Sequence, residues 1–333
     1  MNKLPYIIAE IGSNHCGDRD IGIKHIEYAA KSGVNAVKFQ LLDINKQYIN
    51  PSQEIKKIHT ISDISINDLR IYKKTAVINN VDFMCSGTFL EAVEIIENLN
   101  PSFHKIASAQ VPHFPQYIEK IKLTGRKTIA STGIASLDEI DRLVKIFGGL
   151  GNDQLTLLHC RSIYPLETEF AELYSIKHLS KRYKINVGYS DHSSEIYNAL
   201  VALGLGANIF EKHFKINDDI KSPDSESSIN FEQMRNYVNT INIGFKSIGD
   251  KLNYRKLNQY ENNLKLGWEV NLIAKKEIKK GDLLNKDNID FIRAGKGIKA
   301  SQIFNKTDQK AFKAKKDIAE KESLLYEDID ITI

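Results

Sequence analysis

The sequence predicts an α/β protein, a closed (β/α)8 barrel followed by a small, mostly β domain. Three observations carry this. Eight short apolar, β-rich runs recur through the first 210 residues, at roughly 20–30-residue spacing with helical patterns between most of them. No strand is followed by Gly-x-Gly-x-x-Gly, which disfavours a doubly wound sheet, and Gly148-Gly149-Leu150-Gly151 reads as the turn that ends a helix. From Glu269 onward the texture changes to short strands and turns, a second domain of about 60 residues.

Taken in order, the strands are expected at 6–9, 36–39, 81–85, 103–106, 128–130, 155–158, 185–189 and 208–210. Helices are expected at 21–30, 66–78, 89–97, 137–146 and 170–179, with Asp20, Asn67 and Ser136 as N-caps and Gly33 and Gly148 as stops. Between the last two strands, 195–205 reads as a helix with Ile196, Leu200 and Leu203 on one face. A final barrel helix is expected at 231–243. The domains are then 1–246, a linker at 247–268 with some helical content, and 269–333. No internal repeat or low-complexity segment stands out.

Hydrophobic content of 42% and charged content of 26% are those of an ordinary globular enzyme. The formal net charge of +4 is too mild for a nucleic-acid or anionic-membrane partner, and the lysines gathered toward the carboxyl end read as a solvated face. Cys16, Cys85 and Cys160 are odd in number and widely spaced, which excludes a disulfide framework and fits buried free thiols in a reducing compartment. His159 and Cys160 are neighbours on a strand, so their side chains point to opposite faces and do not form a nucleophile–base pair. No apolar run approaches the ~20 residues of a membrane span, and no secretory leader is evident, so a cytoplasmic location is expected.

In such a barrel, chemistry collects at the carboxyl ends of the strands. Those positions carry Glu10, Lys38 and Gln40, Ser86, Lys105 and Ser108, Ser131, Ser162 and Tyr164, Ser190 and His192, and His213. The β-α-β unit from Gly188 to Phe214 sets His192 and His213 side by side at one mouth, where neutral imidazoles could hold one divalent cation or serve as hydrogen-bonded structural histidines. Lys38 and Lys105 lie within apolar strand sequence, where unpaired charge is costly. Two lysines with several serines make a pocket for a phosphorylated, carboxylated anion.

Several segments together resemble the N-acetylneuraminate (sialic acid) synthase family. They are Ile8-Ala9-Glu10-Ile11-Gly12-Ser13-Asn14-His15, Ala36-Val37-Lys38-Phe39-Gln40, Lys105-Ile106-Ala107-Ser108, Ser131-Thr132-Gly133-Ile134 and Ile163-Tyr164-Pro165. Gly188-Tyr189-Ser190-Asp191-His192, Glu211-Lys212-His213-Phe214 and Pro223-Asp224 complete the set. Ile278-Lys279-Lys280-Gly281-Asp282 and Arg293-Ala294-Gly295 are similar to that family's antifreeze-like (SAF) domain. The likeness implies a TIM barrel with a SAF domain, and a phosphoenolpyruvate-dependent condensation with an open-chain acylamino hexose. N-acetylmannosamine and a diacetamido-trideoxyhexose are the acceptors it offers. It implies His192 and His213 as ligands of a divalent metal, Mn2+ before Mg2+ or Co2+. It also implies Lys38, Lys105, Ser108, Ser131 and Ser190 as anion-binding groups, and Glu10, Gln40, Tyr164 and Asp224 as groups that orient the sugar. Arg293 matches an arginine that reaches a neighbouring subunit's barrel in a domain-swapped homodimer.

The chain departs from the family pattern in three respects, at four positions. Gln110 stands where an acidic residue is usual, and an amide cannot exchange a proton at neutral pH, so either the proton step falls to Glu10 or to a cation-held water, or the enzyme is slower. Gly87 replaces a hydroxyl-bearing residue, and Ser162 an asparagine. The aromatic expected near the start of the second domain is missing, with Trp268 its substitute. Gln110 and Ser162 are still expected to line the substrate site. The alternatives are a related phosphoenolpyruvate-dependent synthase with another acceptor and a catalytically inactive SAF-domain binding protein.

Overall fold

The computed structural model describes residues 4–249, 256–304 and 311–332. The chain forms two compact units, Met1–Asp250 and Lys251–Ile333. The first contains the eight expected strands: β1 (Tyr6–Glu10), β2 (Ala36–Leu41), β3 (Asp82–Gly87), β4 (His104–Ile106), β5 (Thr128–Ser131), β6 (Leu155–His159), β7 (Val187–Asp191) and β8 (Ile209–His213). They pair in parallel in chain order, and β8 closes on β1 with Glu10 opposite His213. The barrel is therefore complete and has no free edge.

Every strand but β4 continues one to three residues past its sequence-based end. The extra residues are mostly polar, which ended the apolar pattern. Their inward-pointing members line the barrel axis, so the pleat continues where the hydrophobic signal stops.

The helices around the barrel are α1 (Arg19–Ser32), α2 (Ile44–Gln47), α3 (Gln53–Ser62), α4 (Ile66–Ile78), α5 (Ala92–Glu97), α6 (Gln110–His113), α7 (Pro115–Leu123), α8 (Leu137–Ile146), α9 (Ser175–Tyr183), α10 (Tyr197–Gly204) and α11 (Phe231–Ile248). Ser136 caps α8 in a reciprocal box with Glu139 and Gly33 ends α1 at φ 89°, both as expected. The other two caps are corrected: Asp18 caps α1 and Ser65 caps α4, each accepting backbone N–H bonds of the first turn. The buried residues of α10 are Asn198, Ala199, Ala202 and Leu203, small residues that let the helix sit close to the sheet. Leu200, 37% exposed, shares a face with Leu203 as expected, both side chains approaching Gly244 of α11.

Outside the strands, Val37, Phe39, Phe83, Ile106, Tyr189 and Phe210 join the helices in one apolar layer. Inside, Ile8, Ala36, Met84, Ile129 and Leu158 form a plug toward the amino-terminal ends of the strands. The polar layer beyond that plug therefore opens toward the carboxyl-terminal mouth.

The second unit contains α12 (Gln259–Gly267), β9 (Asn271–Ala274), β10 (Ile289–Ile292), α13 (Ala300–Phe304), β11 (Ala311–Ala314) and β12 (Ile329–Thr332). Residues 250–255 of the expected linker lie outside the described residues. The expectation of no internal repeat is overturned here, because this unit is an internal duplication at an offset of 40 residues, as Ile278 and Ile318 show. Those two residues exchange both backbone bonds (2.9 and 2.8 Å) and so mark the twofold axis. Around it, Gly281 N–H donates to Ala314 O and Lys321 N–H to Ala274 O, both at 2.7 Å. Ala274 pairs with Ile289 as Ala314 pairs with Ile329. The sequence carries the repeat too: Ala274-Lys275-Lys276-Glu277-Ile278 recurs as Ala314-Lys315-Lys316-Asp317-Ile318, and Ile289-Asp290 as Ile329-Asp330. Even the left-handed position keeps its conformation while changing residue, Gly281 (φ 94°) against Lys321 (φ 64°).

Candidate active site

The inner faces of β1, β2, β4, β5, β7 and β8 bring together a buried charged layer. Glu10 Oε2 lies 3.0 Å from Lys38 Nζ, and Glu10 Oε1 accepts from Gln40 Nε2 at 2.6 Å. Glu211 Oε1 lies between both lysines, 3.4 Å from Lys38 Nζ and 3.5 Å from Lys105 Nζ. Ser190 Oγ donates to the same oxygen at 3.4 Å, and Lys105 Nζ donates to Ser131 Oγ at 2.8 Å. Sequence reasoning missed Glu211 as a member of the site. The signal was its period-two spacing from His213, which puts both on one face of β8.

The two ammonium groups are not equivalent. For Lys38, burial disfavours the charge, but Glu10 and Glu211 outweigh it and hold the group above its ordinary range. For Lys105, burial dominates, Glu211 offsets only part of it, Lys38 adds to it, and the group falls below its ordinary range. Burial also opposes the Glu211 charge, yet Lys105 and Lys38 prevail and its carboxyl lies well below the carboxylate range. Among the described residues Glu211 Oε2 has no hydrogen-bond partner. The layer is thus charged, buried and incompletely paired, with its weakest-supported cation at Lys105.

His192 and His213 do meet, with ring centroids 5.6 Å apart. The Tyr164 ring stacks on His192 at 4.1 Å and stands edge-on to His213 at 6.1 Å. Burial, then the neighbouring His213, push His192 down to about 3, against the hydrogen bond to the Arg161 carbonyl. His192 is therefore a neutral imidazole at neutral pH. Its Nδ1 lies 2.7 Å from Arg161 O, and a carbonyl can only accept, so the proton is on Nδ1 and Nε2 keeps its lone pair. His213 Nδ1 is buried without a partner among the described residues.

Asp224 joins the site through a latch between the loops after β1 and β8. Its Oδ2 accepts from Ser13 N at 2.7 Å and Ser13 Oγ at 2.8 Å, and its own N–H donates to Ser13 Oγ at 3.1 Å. Burial works against its charge, but His213, the Ser13 bonds and Lys38 outweigh it, leaving the carboxyl below its usual range. Gly12 sits there at φ 53°, and a Cβ on it would collide with Asp224 Oδ2. Ser13 and Gly12 were visible only as parts of a motif. Their role depends on a partner more than two hundred residues away.

The three departures find distinct places. Gln110 is buried, its Oε1 accepting from Ala107 N at 2.8 Å and its Nε2 donating to Gly87 O, so both amide atoms tie backbone segments together. Gly87 leaves no room for a side chain, since a Cβ would overlap Ala92 Cβ. Ser162 Oγ is 3.2 Å from Ser108 Oγ, and both crowd Gly133 so closely that a Cβ there would overlap them. In the second unit the Arg293 guanidinium lies 4.9 Å from the centre of the Trp268 ring, and both side chains are exposed. The expectation that all three thiols are buried holds for Cys85 and Cys160 but not for Cys16, which is half-buried on a loop.

Comparison with known proteins adds independent findings. The sequence model of the NeuB family matches residues 25–253. The N,N'-diacetyllegionaminic acid synthase of Campylobacter jejuni is 31% identical over 315 residues, covering 90% of this chain and 93% of that protein. The pseudaminic acid synthase of the same organism is 30% identical, with 89% of each chain covered. The crystal structure of N-acetylneuraminic acid (sialic acid) synthetase from Leptospira borgpetersenii, in complex with citrate, superposes with a TM-score of 0.73. That match is 27% identical and covers 79% of this chain and 90% of that one. With the motifs, the closed barrel and these matches in hand, the chain belongs to the NeuB family of sialic acid-type synthases.

Proposed function

We propose that the protein joins phosphoenolpyruvate to the aldehyde of an open-chain acylamino hexose, releasing phosphate and a nine-carbon 2-keto-3-deoxy acid. In that reaction C3 of phosphoenolpyruvate bonds to the aldehyde carbon, water adds at C2, and the C2–O bond to phosphate breaks. The observation that carries the reading is the pair of buried lysines sharing Glu211, with Lys105 short of negative charge, beside two imidazoles. An enol phosphate supplies the anion that Lys105, Ser131 and Ser190 are placed to bind, and its departing charge is what such a cradle stabilises. Ser108, against Ser162, extends the row of hydroxyl donors. Glu10, held by Lys38 and Gln40, is the carboxylate placed to accept a proton at the mouth. Gln110 is occupied by backbone and takes no part in the proton step.

The residues fit a divalent cation. A neutral His192 with a free Nε2 and a His213 with a buried, unpartnered Nδ1 are the donors a borderline metal such as Mn2+ takes. Among the described residues no group of three or more His, Cys, Asp or Glu is arranged to hold a metal, so a substrate oxygen and water would complete the set. When bound, the ion would supply Lewis acidity toward the aldehyde oxygen. Asp224 and Tyr164 border the imidazoles and are the groups available to orient the sugar. The second unit is read as a SAF domain whose exposed Arg293 and Trp268 contact the sugar of a neighbouring subunit.

The test is phosphate release with purified protein, Mn2+, phosphoenolpyruvate and a panel of N-acylated hexoses. Sugar-dependent release that a chelator or His213→Ala abolishes is expected. Release without sugar, or none with any sugar, overturns the reading. In the same assay Arg293→Ala is expected to raise the KM for sugar more than that for phosphoenolpyruvate, and equal shifts would remove it from the sugar site.

A further inference from the structure

Directly behind the two histidines, on the opposite face of the same strands, lies a second buried ion pair that the proposed reaction does not use. Asp191 and Lys212 are register partners of β7 and β8, and both side chains are 0% exposed. Lys212 Nζ stands 3.1 Å from Asp191 Oδ2. Asp191 Oδ1 accepts from Ser193 N at 2.9 Å, Ser193 Oγ at 2.6 Å and Tyr189 OH at 3.2 Å. Lys212 Nζ also donates to Ser193 O. Two opposite charges therefore grip one residue, Ser193, by its N–H, its carbonyl and its hydroxyl.

That residue follows His192, and Lys212 precedes His213. Strand alternation turns Asp191 and Lys212 toward the helices while Glu211 and His213 face the axis. Neither charge can reach a ligand in the barrel. A buried ion pair is also no more stabilising than apolar residues of the same volume. What this pair does have is reach: it fixes the chain on both sides of the gap between the imidazoles. His192 is held from the other side by Arg161 O at 2.7 Å and, through its own carbonyl, by Leu166 N at 3.0 Å. In a dry environment such bonds are strong and directional.

We propose that Asp191 and Lys212 are positioning residues that set the spacing of His192 and His213 for one divalent cation. The proposal rests on the metal reading above. Outer groups that orient metal-binding histidines typically govern affinity by ~10–100-fold.

The experiment is Mn2+ titration followed by electron paramagnetic resonance, which needs no turnover. Wild type and His213→Ala come first: one tight Mn2+ bound by the former and lost in the latter establishes the site. No binding by wild type overturns the metal reading and this proposal with it. The deciding variant is Asp191→Asn/Lys212→Met, which removes both charges and leaves neither alone. Its expected result is a wild-type melting temperature, Mn2+ affinity weaker by ~10–100-fold, and an altered spectrum of the bound ion at saturation. Wild-type affinity and spectrum in that folded double variant would overturn the proposal while leaving the metal site intact. Should the double variant not fold, Ser193→Ala decides. It removes one hydroxyl from the grip, and a loss of affinity without a change in melting temperature supports the brace, whereas unchanged affinity overturns it. Asp141→Asn/Arg182→Met, an exposed pair elsewhere on the barrel, is the control expected to change nothing.

Discussion

The two faces of β7 and β8 carry buried charges put to opposite uses. On the inner face Glu211 is stretched between Lys38 and Lys105 at 3.4 and 3.5 Å, with one oxygen unpartnered among the described residues. On the outer face Asp191 takes three hydrogen bonds on one oxygen and faces Lys212 at 3.1 Å with the other, which likewise has no hydrogen-bond partner among the described residues. The difference is one of place. The inner cluster lies toward the carboxyl-terminal mouth of the barrel, and the outer one faces the helices and bonds the backbone of Ser193.

The largest expected effect sharpens this contrast. Lys105→Met should lower sugar-dependent phosphate release by ~10^2–10^3-fold, the loss seen when one preorganised charge-stabilising donor is removed. Mn2+ binding should stay at the wild-type level, the reverse of the pattern expected for the outer pair. Loss of Mn2+ binding in Lys105→Met would break the contrast between the faces.

A middle-sized effect tests the latch at the inner mouth. Gly12→Ala forces a Cβ into Asp224 Oδ2 at a positive φ, and strain of this kind costs about 1–3 kcal/mol. Urea unfolding should show that loss, whereas Gly148→Ala, also at positive φ but with open space around it, should show only the backbone part. Equal losses would mean that the loop after β8 does not press on Gly12.

The smallest effect concerns another polar group of the outer layer, His25. Burial, opposed by its bond to Ile21 O, pushes it down to about 4 from 6.5. Below pH 6.5 the unfolded chain takes up a proton that the folded chain refuses until about 4. The stability tied to this group is therefore full above 6.5 and lost as pH falls toward 4. Urea midpoints at pH 7 and 5 should differ less for His25→Leu than for wild type. Identical slopes would show that His25 does not contribute to the acid sensitivity.

Much of the site was legible because a barrel converts sequence order into position. Once eight strands are recognised, the residue at the end of each is at the mouth, and Glu10, Lys38, Lys105, Ser131, Ser190, His192 and His213 follow. Glu211 was harder, since apolar pattern ended β8 at 210 and its inward turn appears only when the pleat is carried on to His213. The Ser13–Asp224 latch was harder still, because partners distant in the chain define it, whereas the duplication in the second unit is written in the sequence as the matching runs 274–278 and 314–318.

The sequence by itself determined the strand count, the order of the mouth residues and the family. Hydrophobic periodicity is local, and strands paired in chain order need no long-range information to be placed. Tertiary structure alone decided which charges share a partner, which side chains Gly12, Gly87 and Gly133 must make way for, and that Gln110 serves the backbone. Those outcomes depend on distances of a few ångströms between elements far apart in the chain. Burial then magnifies each of them, because little water remains to screen a charge or satisfy an unpaired donor.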